Sequence, residues 1–176
     1  MVRIHRSPLA AVAISLAPMV SMAHGADKPT DPQIAHIAYT AGVIDIEAAD
    51  LALKKTHNKA VRSFAEEMAR DHAAVNKQAL ALVKKLDVTP EDNATSRSLA
   101  DAAAKKREEL SGLQGRAFDK AYAENEVAYH RAVNSALETT LIPGAENGEL
   151  KSLLRTGLKL FQEHQHHAEH LVGELK

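Results

Sequence analysis

The stretch from Val61 to Leu86, VRSFAEEMARDHAAVNKQALALVKKL, carries the clearest structural signal in the chain. Val61, Phe64, Ala65, Met68, Val75, Ala79, Leu82 and Leu86 recur at three-and-four spacing, the period of a helix about seven turns long with one apolar stripe. His72 falls near the middle of that stripe, between Met68 and Val75. An imidazole on a core-facing stripe is costly unless something in the core pairs with it.

The same period recurs on both sides of this helix. Asp31-Pro32 reads as a cap followed by proline at the first helical position. A first helix runs from there to about His57, with Ile37, Ala41, Ile44, Ala48 and Leu51 on one face. Thr89-Pro90-Glu91-Asp92 reads as a second such start, opening a charged middle segment that reaches about Gly112 with only a thin stripe (Leu99, Ala102, Ala103, Leu110). A third long helix spans about Arg116 to Thr140, burying Phe118, Tyr122, Tyr129, Val133 and Ala136. A fourth spans about Asn147 to Gly173, with Leu150, Leu154, Phe161, Ala168 and Leu171 inward.

Each long helix carries ionisable residues on or beside its stripe: Glu47 on the first, His72 on the second, Glu126 and His130 on the third, His164 on the fourth. Their depths depend on how the chain is routed. In an up-down-up-down bundle they are offset by roughly 10 Å. If the middle segment carries the chain back along the bundle, the second and third long helices run parallel. Glu47, Glu126 and His164 then lie about 10 residues from the first turn, and His72 and His130 about 14, all within roughly one helical turn. The routing that collects them predicts an all-α, ferritin-like four-helix bundle with an extra crossover helix between its second and third helices.

The whole mature chain, from about His24, resembles the exported bacterial family named for domain of unknown function 4142, which belongs with the ferritin-like folds. The matching stretches are Gly42-Val43-Ile44-Asp45-Ile46-Glu47, Phe64 through His72, Gly115-Arg116-Ala117-Phe118-Asp119 leading to His130, and His164 ahead of Ala168 and Leu171. Phe-Ala-x-x-Met-x-x-Asp-His is the most specific. The resemblance implies the fold and no particular activity.

Di-iron bundles use Glu-x-x-His on two helices. Here Ala69 stands three residues before His72, and Glu163-x-x-His166 lies off the stripe. The expected ligand set (Glu47, His72, Glu126, His130, His164) has fewer carboxylates and more imidazoles, which suits zinc, copper or a single iron better than a carboxylate-bridged pair. Two readings stay open: a transition-metal site in metal handling or oxidative-stress protection, or a non-catalytic envelope or stress module whose buried histidines form a hydrogen-bonded network. A third uses the C-terminal histidines His166, His167 and His170 with His164 as a surface metal buffer, against which stands a simple solvated face.

Composition removes other classes. Lys+Arg 22 against Asp+Glu 23, with no basic stripe, gives nucleic-acid binding no support. The Gly-x-Ser-x-Gly elbow and phosphate-cradling loops are absent. With no cysteine there is neither a disulfide nor a lipid attachment point. Residues 1–23 read as a cleaved signal peptide: Arg3 and Arg6, an apolar run from Leu9 to Val20, then Ser21-Met22-Ala23. Residues 24–30 read as a flexible segment and 31–176 as the domain, with no membrane span after cleavage and a periplasmic or secreted destination. Cleavage would leave His24 with a free amine, a copper-chelating arrangement on a tail. Mass spectrometry of the exported protein is expected to find His24 as its first residue; recovery of the intact chain in the membrane fraction would overturn the signal reading.

Overall fold

The computed structural model describes residues 28–175, so the signal-peptide reading of residues 1–23 and the stretch 24–27 lie outside it. The regular elements among the described residues are all helices: α1 (Asp31–Lys55), α2 (Lys59–Lys85), α3 (Ala94–Ser111), α4 (Gly115–Ala136), a π-helical segment (Leu137–Leu141), one turn of helix α5 (Ile142–Gly144) and α6 (Gly148–Glu174). None of these helices is long and apolar enough to cross a membrane.

Short polar residues set the helix starts, sometimes one position from where the sequence suggests. Thr30, not Asp31, caps α1, in a reciprocal capping box with Gln33. Asp31 is released for a longer-range task, accepting the backbone N–H of Glu146 (2.8 Å) and of Asn147 (2.7 Å) at the entry to α6. The middle helix is capped by Asn93 and not within Thr89–Asp92. Asn58 and Asn147 each accept two backbone N–H groups at the starts of α2 and α6. The third long helix stops being α-helical at Ala136, and Leu137–Leu141 continue it with wider π turns that keep Leu137 and Leu141 buried.

Contacts between helix ends trace the route of the chain. Asn93 Nδ2 donates to Gln33 O at 3.3 Å, and Lys55 Nζ donates to Ser111 O at 2.7 Å. So α3 begins beside the start of α1 and ends beside its end. At that same end the buried Thr56 hydroxyl donates to Asp119 of α4 (2.6 Å). At the opposite end, Lys85 of α2 pairs with Glu149 of α6.

The core is in two parts. One gathers Val61, Phe64, Met68, Phe118, Tyr122 and Leu171; the other gathers Ile34, Ile37, Leu137, Leu141, Leu154 and Phe161. Between them, in sequence order on every long helix, lie the buried polar residues Asp45, His72, Glu126, His130 and His164. The α1–α2 contact is made close by small residues. Gly42 is buried, and a methyl group there would collide with the Asn76 amide, which donates to Tyr39 O at 3.4 Å. Gly42→Ala is therefore expected to destabilise by roughly 1–3 kcal/mol, and adding Asn76→Ala should recover part of the loss. Urea denaturation of the single and double variants measures both; a neutral Gly42→Ala would mean that α1 and α2 are less tightly apposed.

Candidate metal centre

Three helices each bring one imidazole to the layer between the two cores. His72 comes from α2, His130 from α4 and His164 from α6, and their exposures of 2%, 0% and 1% leave water almost no access. One ring nitrogen of each lies within 4.8 Å of the others. The ring centroids stand 5.4–5.6 Å apart, and none of the three pairs is coplanar. From α1 comes Asp45, whose Oδ2 lies 3.4 Å from both His72 Nε2 and His130 Nε2. Asp45, Glu126 and His130 form a second close group that shares His130 with the first.

Proton positions follow from the partners outside the cluster. His130 Nδ1 faces the backbone carbonyl of Glu126 at 3.0 Å. A carbonyl only accepts, so Nδ1 carries the proton and Nε2 the lone pair. His164 Nε2 faces Asp71 Oδ2 at 3.3 Å. Burial pushes the Asp71 carboxyl up, but its bonds to Arg70 and His164 outweigh this and hold it below the usual range. Asp71 is thus ionised and accepts, so His164 donates through Nε2 and keeps its lone pair on Nδ1. Arg70 Nε in turn holds Asp71 Oδ1 at 2.8 Å. His72 is stacked on Phe161, ring centroids 4.6 Å apart and 3° from parallel.

The inward-facing atoms have no such partners. Both Asp45 oxygens, both His72 nitrogens, His130 Nε2, His164 Nδ1 and Glu126 Oε2 are buried without a hydrogen bond. The 3.4 Å Asp45 contacts are close enough for ion pairing but lack hydrogen-bond geometry. Three imidazoles form one close group and Asp45, Glu126 and His130 an adjoining one, sharing His130, while two of the rings are fixed from behind by a carbonyl and a carboxylate. That is how proteins orient metal-bound histidines.

The electrostatics follow from burial. Desolvation raises the Asp45 pKa to about 8. It also raises Glu126 well above the carboxylate range, with Asp45 adding to the effect. His130 is lowered to about 4 by burial, partly opposed by its bond to Glu126 O. His72 is lowered well below the ordinary histidine value by burial and then by His130 and His164. Burial lowers His164 too, against the pull of Asp71. All three imidazoles are neutral at neutral pH, the form a metal needs.

Of the five residues expected from sequence, His72, Glu126, His130 and His164 meet in this layer. Glu47 does not: its side chain is 47% exposed and pairs with Arg107 of α3 at 2.8 Å. The carboxylate that α1 contributes is Asp45, two positions earlier and about 200° round the helix. The signal that finds it is the set of small residues: Gly42, Ala48, Ala49 and Ala52 are all buried and centre the inner face of α1 on Asp45. His130, on a stripe margin by its spacing, is fully buried. His166, His167 and His170 are exposed; His167 pairs with Glu67 and His170 with Glu174.

The family described as "Domain of unknown function (DUF4142)" matches residues 17–171. The chain belongs to the DUF4142 family. No curated protein matches this DUF4142 sequence. A crystal structure of a protein from Streptomyces coelicolor, assigned there provisionally as secreted protein DUF305, is similar with a TM-score of 0.69 at 13% identity, over 81% of this chain and 91% of that one. At that identity the likeness shows a shared fold.

The two kinds of buried group give this DUF4142 chain opposed pH dependences. Asp45 and Glu126, raised in the fold, contribute stability that is full below their unfolded values near 4 and is lost as pH rises toward the Asp45 value of about 8. The histidines, lowered in the fold, contribute stability that is full above 6.5 and is lost as pH falls, toward about 4 for His130. With a chelator present, melting temperature should therefore peak near pH 6.5 and fall between 6.5 and 8. Each raised carboxyl should contribute on the order of 1 kcal/mol per pH unit to that fall. Asp45→Asn should flatten the alkaline side, and an unchanged profile in this variant would show that Asp45 is ionised in the metal-free fold.

Proposed function

We infer that the protein is an exported ferritin-like four-helix bundle, with α3 as its crossover helix, that binds one transition-metal ion in its centre. His72, His130 and His164 supply three nitrogens and Asp45 an oxygen, with Glu126 at the margin in contact with His130. The observation that carries this reading is the gathering of buried, unpartnered atoms in two adjoining groups that share His130, with two of the rings locked from behind. A divalent cation would give several of these atoms a partner at once, one nitrogen from each ring among them, and would favour the ionised form of Asp45 that burial alone disfavours.

Three imidazoles and one carboxylate suit zinc, copper or a single iron. Two metals bridged by carboxylates would need more acidic ligands than this layer holds. When bound, such an ion supplies Lewis acidity or, for copper and iron, electron transfer. The chain's own contribution is to orient the rings through Glu126 O and Asp71 and to exclude water by packing Phe161 and Tyr122 on either side. Metal handling or protection against oxidative stress is the role that such an enclosed site in an exported protein fits.

A second reading rests on the raised Asp45 carboxyl. Protonated, it can donate to one of the two facing nitrogens, and the layer is then a hydrogen-bonded network that specifies helix register. The two readings separate in thermal melts of wild type, His72→Ala and His164→Ala, each with zinc, copper or iron and with chelator. Metal binding to the fold is expected to raise the wild-type melting temperature. Both substitutions should abolish that rise, and elemental analysis of untagged protein should find about one metal per chain. If no metal shifts the wild-type melt, while the variants are destabilised by roughly 1–3 kcal/mol, the structural network is the correct reading.

A further inference from the structure

Beside the histidine layer, on the side of the Ile34–Leu154 core, the helices leave a cavity of about 140 Å³. Its walls are unusual in what they lack. No charged side chain lines it, and the donors of its two polar residues are taken up by backbone: the Tyr129 hydroxyl donates to Ala41 O at 2.7 Å, and Asn76 Nδ2 donates to Tyr39 O at 3.4 Å. Small residues from all four long helices, among them Ala38, Gly42, Ala79, Ala136 and Gly157, face the space with no large side chain to fill it. At its inner wall stands Phe161, the ring stacked on His72. Gly157, one turn before Phe161, makes room for that ring: a methyl group on Gly157 would stand 3.3 Å from Phe161 Cε2.

The pocket is open at its rim, where Ala132 and Ala136 are exposed and Ala38 and Ala79 half-buried, and its depth is walled by apolar side chains. Water in its depth meets few of the two to four polar partners that an ordered water needs, so an apolar molecule displaces it at little cost. Apolar cavities of about 150 Å³ admit benzene or xenon, and this pocket is of that volume. We propose that the cavity is the ligand chamber of the central site and takes a small, uncharged, apolar molecule of benzene size or less. The occupant lies one aromatic ring from His72, so Phe161 is the partition between chamber and metal centre. The chamber deepens the metal-binding reading by giving the site its substrate class, and it rests on that reading only for the chemistry that the bound molecule would undergo.

The test uses metal-free protein, which keeps its outcome separate from that of the metal experiment. Benzene is expected to raise the melting temperature in a saturable way, and xenon to give a bound NMR resonance. Ala38→Leu and Ala79→Leu fill the space; each should keep the fold and weaken benzene binding by about tenfold or more. Benzoate, of similar shape but charged, should not bind. Because Phe161 transmits occupancy to its neighbour, benzene should also shift the imidazole NMR signals of His72 and leave those of exposed His170 unmoved. Absence of saturable benzene or xenon binding overturns the proposal, as does equal binding by wild type and both filled variants. Unmoved His72 signals under saturating benzene overturn its role as the chamber of the central site. If the wild type self-associates and the filled variants dissociate, the occupant is a side chain of a second copy and the proposal fails.

Discussion

Desolvation of five ionisable side chains in one layer governs how the rest of this structure is built. Asp45, His72, Glu126, His130 and His164 are each at most 2% exposed, and each would be better solvated in the unfolded chain. The two apolar cores on either side offset that cost and also impose it, because they keep water out. The outer partners Glu126 O, Asp71 and Arg70 then fix where the protons sit. What remains is a set of acceptors facing one another, stable only with protons or a cation between them.

The layer also gives specificity of register. Shifting α1 or α6 by a turn would move its polar residue toward an apolar core and bring an apolar or small residue opposite the histidines. Tight apposition at Gly42 and the end contacts at Thr56, Asn93 and Asp31 hold the helices against such shifts. Packing and electrostatics thus select the same alignment, which is the consistency that a foldable sequence needs.

Much of this was legible in the sequence, and the misses have physical causes. His72 and His164 stood out because large apolar neighbours define their stripes. Asp45 was hidden because glycine and alanine mark the inner face of α1, and their small hydrophobic weight let Ile37 and Leu51 pull the apparent stripe away, toward Glu47. His130 was placed at a margin for a related reason: its helix is buried on a broader face than Phe118, Tyr122 and Val133 outline. The start of α3 was misplaced because Pro90 and Asp92 imitate a cap that Asn93 provides. The π-helical segment and the cavity left no trace, since one is a change of hydrogen-bond partner and the other is an absence of atoms.

The bond from Asp31 to the backbone at Glu146 and Asn147 joins residues 115 and 116 positions apart. A helical domain is usually stitched mainly by local contacts, which lets it fold fast and in pieces. Here the first turn of the first helix, already bonded to the entry of α3 through Pro32 O and Gln33 O, gains its Asp31 contacts only when the start of the last helix has arrived. The histidine layer likewise draws on all four long helices, so no shorter piece of the chain can own it. Helix α1 can pack on α2 and α3 beforehand, but the Asp31 clamp and the histidine layer close only when the final helix docks, so completing the site is one cooperative event.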